Sequence, residues 1–235
     1  MPVDTAFARV PVLDAWDETP ALRGIRLDLG TELSRHHLRP GQVVKVRTEP
    51  GEAYFALASA PSLAGRAELL VKRGTPVADA AVAAASPGRL LEVSTPFGNG
   101  FAVEEARGRD VLLFAAGSGI APIRALVQHI LANRRDFDRV TLFYGHRRGA
   151  DFAYVREHLD WERGGVRVVL CPSHEDEAWT GVRGRVQEVA RSLAFGGLAP
   201  AGAVAFVCGM RPMVDDVRAT LAKAGVPPER VHLNF

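Results

Sequence analysis

Short apolar runs alternating with polar positions cover about the first hundred residues, and each run ends at a cluster of turn-forming residues. The runs predict strands over Ala6–Leu13, Leu22–Leu29, Gln42–Arg47, Ala53–Ala58, Ala67–Val71 and Leu90–Ser94. Arg39-Pro40-Gly41, Glu49-Pro50-Gly51, Ser59-Ala60-Pro61 and Ser86-Pro87-Gly88 separate them. Short strands at this spacing predict a small barrel or sandwich. One helical patch, Val77–Ala85, interrupts them, and the glycine-rich loop Thr95–Phe101 closes the region.

From about Gly108 the period changes. Apolar runs at Val111–Ala116, Thr141–Tyr144, Val166–Leu170 and Ala203–Val207, with a short last one at Val231–Leu233, alternate with helical patterns at Pro122–Asn133, Ala153–Trp161, Val186–Leu193 and Pro212–Ala224. Strands that are apolar throughout are covered on both faces, so the alternation predicts a parallel sheet between two helical layers. The charged stretch Glu104 to Asp110 marks the boundary, dividing the chain into 1–106 and 107–235.

Composition narrows the function. With 235 residues, 47% of them apolar and 24% charged, the chain has the balance of a soluble globular protein. A net charge of +2 implies neither a nucleic-acid nor a membrane partner. The two cysteines, Cys171 and Cys208, lie far apart, too few for a cysteine-ligated iron–sulfur cluster and without a disulfide framework. No signal-peptide pattern opens the sequence, and no apolar run approaches the roughly 20 residues of a membrane span. A cytoplasmic chain with reduced thiols is the expectation.

The stretch Val111–Arg124 carries the chemistry. A buried strand breaks into Gly117-Ser118-Gly119, and a helix follows with Pro122 in its first turn. Glycines let a backbone approach a pyrophosphate, and the N–H groups and dipole of a helix start favour the anion. Any strand-to-helix turn can use glycine, so the pattern gains its meaning from its neighbours. The third glycine of the usual dinucleotide fingerprint is missing, with Pro122 at or next to its place.

A small β-barrel followed by an α/β domain that opens with Gly-Ser-Gly-Ile-Ala-Pro resembles the ferredoxin–NADP⁺ reductase superfamily. Cys208-Gly209-Met210-Arg211-Pro212-Met213 looks like the family's Cys-Gly-x-x-Pro-Met motif, Tyr144-Gly145 stands where the family has a Tyr-Gly pair, and the chain ends in an aromatic, Phe235. The resemblance spans nearly the whole chain and is strongest to members without an iron–sulfur domain. It implies an antiparallel Greek-key barrel of the FAD type and a nucleotide-binding α/β domain. Gly117, Ser118, Gly119, Ile120 and Pro122 would hold the NADP or NAD pyrophosphate. Cys208 and Gly209 would border the nicotinamide, and Met210, Pro212 and Met213 would line the adenine-side groove. Ser173 and His174 would lie near the adenosine ribose, and Phe235 would stack on the flavin.

The flavin half departs from the family. Aligned on Ala58-Ser59-Ala60-Pro61, the usual Arg-x-Tyr-Ser becomes Ala53-Tyr54-Phe55-Ala56. A charge-assisted contact to the flavin pyrophosphate, worth roughly 1.5–3 kcal/mol, is thereby lost. Phe55 would keep the stacking face, Ala56 loses the hydroxyl near flavin N5, and the backbone of Phe55, Leu57 and Ser59, with Tyr54, would cradle the ring. Lys72, Arg73 or Arg47 are candidates to replace the missing charge. A second phosphate site is expected at Gly74, Thr75, Val77 and Ala78, where Asp79 would oppose an anion unless it points away. Leu233 stands where many members have a carboxylate.

The resemblance implies a flavin-dependent oxidoreductase that moves hydride from NAD(P)H to FAD in a weakened site and electrons onward to a separate protein or small-molecule acceptor. The alternatives are an NAD(P)H-binding regulatory or docking module whose flavin site is empty, and a subunit of a complex whose iron–sulfur centre sits on another chain. Arg183, Arg185, Ser173 and His174 favour a 2′-phosphate, while Glu175, Asp176 and Glu177 oppose it. A bulky residue at Gly119 is expected to abolish NAD(P)H binding and leave the barrel folded. His36-His37 is expected in a surface loop, as adjacent side chains point apart and make a poor metal pair.

Overall fold

The computed structural model describes residues 6–62, 64–174 and 178–234. Two sheets account for its architecture. The first is antiparallel, built from β1 (Phe7–Thr19), β2 (Leu22–Asp28), β3 (Val43–Thr48), β4 (Gly51–Ala56), β5 (Arg66–Lys72) and β6 (Leu90–Ser94), in the order β4-β3-β6-β1-β2-β5. The bridge between Leu57 and Leu69 joins its two ends and closes a barrel. Alternation fills the inside: Val44, Val46, Val93, Ile25, Leu27, Leu57 and Val71 are fully buried in one cluster. Strand β1 runs further than its sequence suggests, because its first half pairs with β6 and its second half, beyond an irregularity at Val12/Asp14, with β2. A short helix, α1 (Gly30–Ser34), and α2 (Pro76–Ala84) complete this half.

The second sheet is parallel. Its strands are β7 (Val111–Ala116), β8 (Val140–His146), β9 (Val166–Pro172), β10 (Val204–Cys208) and β11 (Val231–Leu233), in the order β11-β10-β7-β8-β9. The helices are α3 (Ile120–Ala132), α4 (Val155–Arg163), α5 (Val186–Ser192), the short α6 (Ala194–Gly197) and α7 (Arg211–Lys223). Side-chain alternation sends Leu112, Phe114, Phe143 and Val207 into one core with α5 and α7. Val111, Leu113, Leu142 and Phe206 enter the other, with Ile123, Leu126 and Val127 of α3. That second core includes Leu22, Ala58 and Leu70 of the barrel, so one apolar interior is continuous across both halves. Strand order reverses between β7 and β10, which is where open α/β sheets leave a crevice for ligands at the carboxyl ends of the strands. Among the described residues no helix is long and apolar enough to cross a membrane.

The histidine pair is split rather than jointly exposed. His36 faces solvent, whereas His37 is buried at 4% exposure and its Nε2 has no hydrogen-bond partner. Burial lowers the His37 pKa from 6.5 to about 4. The unfolded chain therefore binds the extra proton first as pH falls, and His37 contributes a loss of stability between pH 6.5 and 4, on the order of 2–3 kcal/mol. Replacing it by leucine is expected to shrink the fall in thermal midpoint between pH 7 and 4, measured by circular dichroism; an unaltered fall would show that His37 does not carry it.

Candidate functional site

The glycine turn sits at the switch point. After β7 the chain enters a single 3₁₀ turn, Gly117–Gly119, and runs directly into α3. Gly117 has φ +55°, a conformation that favours glycine, and a Cβ built on it would meet nothing within 4 Å. That position faces open space. Gly119 differs: a Cβ there would lie 2.5 Å from the Cys208 carbonyl oxygen and 3.1 Å from Gly209 Cα. Across the crevice, a Cβ on Gly209 would lie 2.9 Å from Met213 Sδ and 3.2 Å from Ala116 Cβ. The two glycine motifs, far apart in sequence, thus press backbone against backbone and line the crevice with main chain. No acidic residue stands in the first turn of α3, so its dipole favours an anion there, although the Ile120 N–H is turned back to the Gly117 and Ser118 carbonyls and Pro122 has none. Pro122, in that first turn, is buried with Ile120.

Cys208 ends β10 at 8% exposure, and burial pushes its thiol up to about 12, so it is a neutral, weakly polar wall. Met210 is 71% exposed beside it, Pro212 is exposed, and Met213 packs on the α7 core. Tyr144 is not a ligand wall: its ring is fully buried, and its hydroxyl donates to the Gly117 carbonyl at 3.3 Å while accepting the Ala153 N–H at 3.2 Å. Gly145 makes room for α5, since a Cβ there would lie 2.7 Å from Val186 Cγ1. Ser173 and His174 are exposed at the end of β9, with Ser173 Oγ and His174 Nδ1 3.2 Å apart. Arg185 is drawn toward Asp216 at 3.8 Å, and Arg183 donates to the Trp179 carbonyl. Glu175, Asp176, Glu177 and Phe235 lie outside the described residues.

On the barrel, strand register sets which side chains of β4 face the core. Phe55 pairs with Val44 and Ala53 with Val46, both fully buried valines, and cross-strand partners share a face. Phe55 is half-buried and packs in part against the barrel core. Tyr54 points outward at 65% exposure, with the Phe97 ring edge-on at 6.0 Å and the Lys45 ammonium 5.3 Å from its centroid. The Leu57 N–H donates to the Gln42 carbonyl and the Ser59 hydroxyl accepts from the Glu68 N–H, so both are engaged within the barrel. Ala56 is half-buried.

The start of α2 is capped by its own side chains. Thr75 Oγ1 accepts the Ala78 N–H at 3.3 Å, and the Asp79 carboxylate accepts the Gly74 N–H at 2.9 Å. Pro76 has no N–H, which leaves Val77 to supply one to a ligand. Of the candidate replacement charges, Arg47 pairs with Glu52 and covers the Phe7 ring, and Arg73 pairs with Asp17. Lys72 is exposed near His146, whose pKa burial lowers and Lys72 lowers further against the opposing pull of Asp151.

Comparison with known proteins settles the family. Residues 113–219 match the family described as the oxidoreductase NAD-binding domain. Over its whole length the chain is 30% identical to the gamma subunit of sulfhydrogenase 1 from Pyrococcus furiosus, 82% of which it covers. The chain belongs to the ferredoxin–NADP⁺ reductase superfamily of oxidoreductases. It is also 28% identical, over 87% of its length, to the reductase component of phenol 2-monooxygenase from a Pseudomonas species, of which it spans 58%. Its fold matches a ferredoxin–NADP⁺ reductase from Neisseria gonorrhoeae solved with bound FAD and NADP, with a TM-score of 0.81, 19% identity and coverage of 97% of this chain and 99% of that one.

Sequence reasoning missed the seam between the halves of this family member. Arg124 of α3 is buried, donates to the Ala58 carbonyl and Glu68 of the barrel at 2.7 Å each, and pairs with Glu157 of α4. Burial disfavours its charge, and the two carboxylates outweigh that and raise its pKa. Tyr154, left-handed at φ +60°, donates its N–H to Glu18 of β1 at 2.8 Å. A charge inside the apolar run Ile123-Arg124-Ala125-Leu126-Val127 was the available signal.

The geometry separates the two glycines of the turn. Gly119→Ala is expected to destabilise the fold by about 2 kcal/mol, a fall of roughly 4–8 °C in thermal midpoint, because backbone blocks its Cβ. Gly117→Ala is expected to weaken dinucleotide binding with a smaller thermal effect. Calorimetric titration with NADPH and NADH beside thermal melts checks this; equal thermal losses would erase the distinction.

Proposed function

We propose that the chain is an NAD(P)H-dependent reductase that uses FAD and passes electrons to an acceptor on another molecule. The observation that carries it is the meeting of the 117–119 turn with Cys208-Gly209 at the switch point, against strand β5 of the barrel. The turn and the start of α3 bind the pyrophosphate. Cys208, neutral and buried, borders the nicotinamide without adding charge, and the continuous apolar seam keeps water away. FAD, when bound, supplies the hydride-accepting ring and splits the electron pair for the acceptor. The exposed Tyr54 ring, with Phe97 edge-on to it, offers the FAD ring a stacking face, while the capped start of α2 and the absence of the family arginine make the diphosphate hold thin. The name of the phenol 2-monooxygenase relative, a reductase component, supports an acceptor on a separate chain.

The same self-capping favours a second reading, a nucleotide-responsive module without flavin. The visible spectrum of the purified protein decides between them. A flavin spectrum bleached by anaerobic NADPH or NADH establishes the reductase and its nucleotide preference; a colourless protein that takes up no added FAD leaves the module.

Asp79→Asn keeps the acceptor for the Gly74 N–H and removes the charge from the helix start. It is expected to tighten FAD binding roughly 2- to 5-fold, following the usual 0.3–1 kcal/mol for a charge at a helix end. Fluorescence titration with FAD measures it, and unchanged affinity would place the diphosphate away from α2.

A further inference from the structure

The dinucleotide helix also grips the barrel. One turn beyond its start, α3 presents Arg124 and Gln128 on the same side, four residues apart. Arg124 Nη1 donates to the Ala58 carbonyl, and Gln128 Oε1 accepts the Ala60 N–H at 2.9 Å. Between these anchors lies Ser59, whose hydroxyl accepts the Glu68 N–H at 3.0 Å, and Glu68 itself pairs with Arg124 and Arg26. The Tyr154 ring packs 4.5 Å from the guanidinium carbon. The segment 58–60 is therefore held by both of its ends to the helix that begins at the nucleotide turn.

We propose that Arg124 and Gln128 are positioning residues that fix the barrel's 58–60 segment at a set distance from the dinucleotide turn, and so set the separation of the two rings between which hydride passes. This rests on the reductase reading above. A helix start and its second turn cannot move relative to each other, so clamping the second turn to the barrel ties both sites to one rigid rod. The apolar contacts at the seam are non-directional and allow sliding; the hydrogen bonds to Ala58 and Ala60 are directional and do not. Hydride transfer is sensitive to this, since misplacement by about 1 Å can cost about 100-fold in rate.

The test places cysteine spin labels at the exposed Glu49 in the barrel and Glu229 in the sheet domain; the native Cys171 and Cys208 are buried. Two variants are compared with the parent chain. Gln128→Ala removes one anchor without stranding a charge. Arg124→Met combined with Glu68→Gln and Glu157→Gln removes the other while leaving no unpaired buried carboxylate. The expected result is a broader label-to-label distance distribution in both, with NADPH affinity retained and flavin bleaching by NADPH slowed about 10- to 100-fold. For Gln128→Ala the thermal midpoint stays near that of the parent, which a merely structural role would not combine with a broadened distribution. An unchanged distance distribution in both variants overturns the clamp, whatever happens to the rate. If neither NADPH nor NADH bleaches a flavin in the parent chain, the reductase reading fails, and a broadened distribution in the variants then still upholds the clamp itself.

Discussion

A guanidinium withdrawn from water at the seam between barrel and sheet decides how the two halves meet. Arg124 reaches an Ala58 carbonyl and a Glu68 carboxylate on one side and Glu157 on the other, with its side chain 7% exposed. A buried charge of this kind is costly to strand, at roughly 3–5 kcal/mol when one partner is removed, and contributes little net stability when complete. Its effect is selectivity of arrangement. The apolar core that runs from Leu22, Ala58 and Leu70 to Ile120 and Ala121 is non-directional, whereas the guanidinium is satisfied only where Ala58, Glu68 and Glu157 converge on it. Glu18 adds a second directional contact by accepting the Tyr154 N–H, and its Oε1 also accepts from the Trp16 indole. The neighbouring Ala153 N–H meets Tyr144, which holds Gly117. The 117–119 turn is thus connected to barrel strand β1 through adjacent peptide groups.

The two helix starts show how one physical rule yields opposite sites. Both α2 and α3 present a positive dipole end. At α3 the residues before the helix are glycines and serine, no acid stands in the first turn, and the turn opens on a crevice lined by backbone. At α2 the threonine and aspartate of the chain itself take the N–H groups that a phosphate would use. The two starts differ in charge more than in free donors: α3 has no acid in its first turn, with its Ile120 N–H bonded to the Gly117 and Ser118 carbonyls, whereas α2 carries Asp79 and a threonine cap.

Much of this was legible in the sequence. The barrel strands, the parallel strands and all the longer helices lie close to where periodicity put them, because alternation and continuous apolar runs report burial directly. The 117–119 turn and the 208–213 motif were legible individually, and their contact through Gly119 and Cys208 was not, since strand order decides it and no local pattern encodes strand order. The same holds for Arg124, whose partner Glu68 is 56 positions away. His37 was misread because adjacent residues on an irregular segment face different environments, one solvent and one core. The seam as a whole was invisible to a reading made one element at a time.

Strand register at β4 shows what the flavin half depends on. Pairing with Val44 leaves Phe55 half-buried against the barrel core, and Tyr54 stands outside, between Lys45 and Phe97. The ring of Tyr54 is exposed, with Phe97 edge-on to it, and so has a face open to a planar partner. With no arginine at position 53 and Asp79 at the start of α2, the proposed flavin site offers little positive charge to a diphosphate and would lean on stacking. Stacking fixes a plane but slides within it, and a site held by stacking therefore needs its walls positioned by something else. In this chain the wall nearest the sheet is the 58–60 segment, and the two side chains of α3 that hold it belong to the helix at whose start the dinucleotide turn lies.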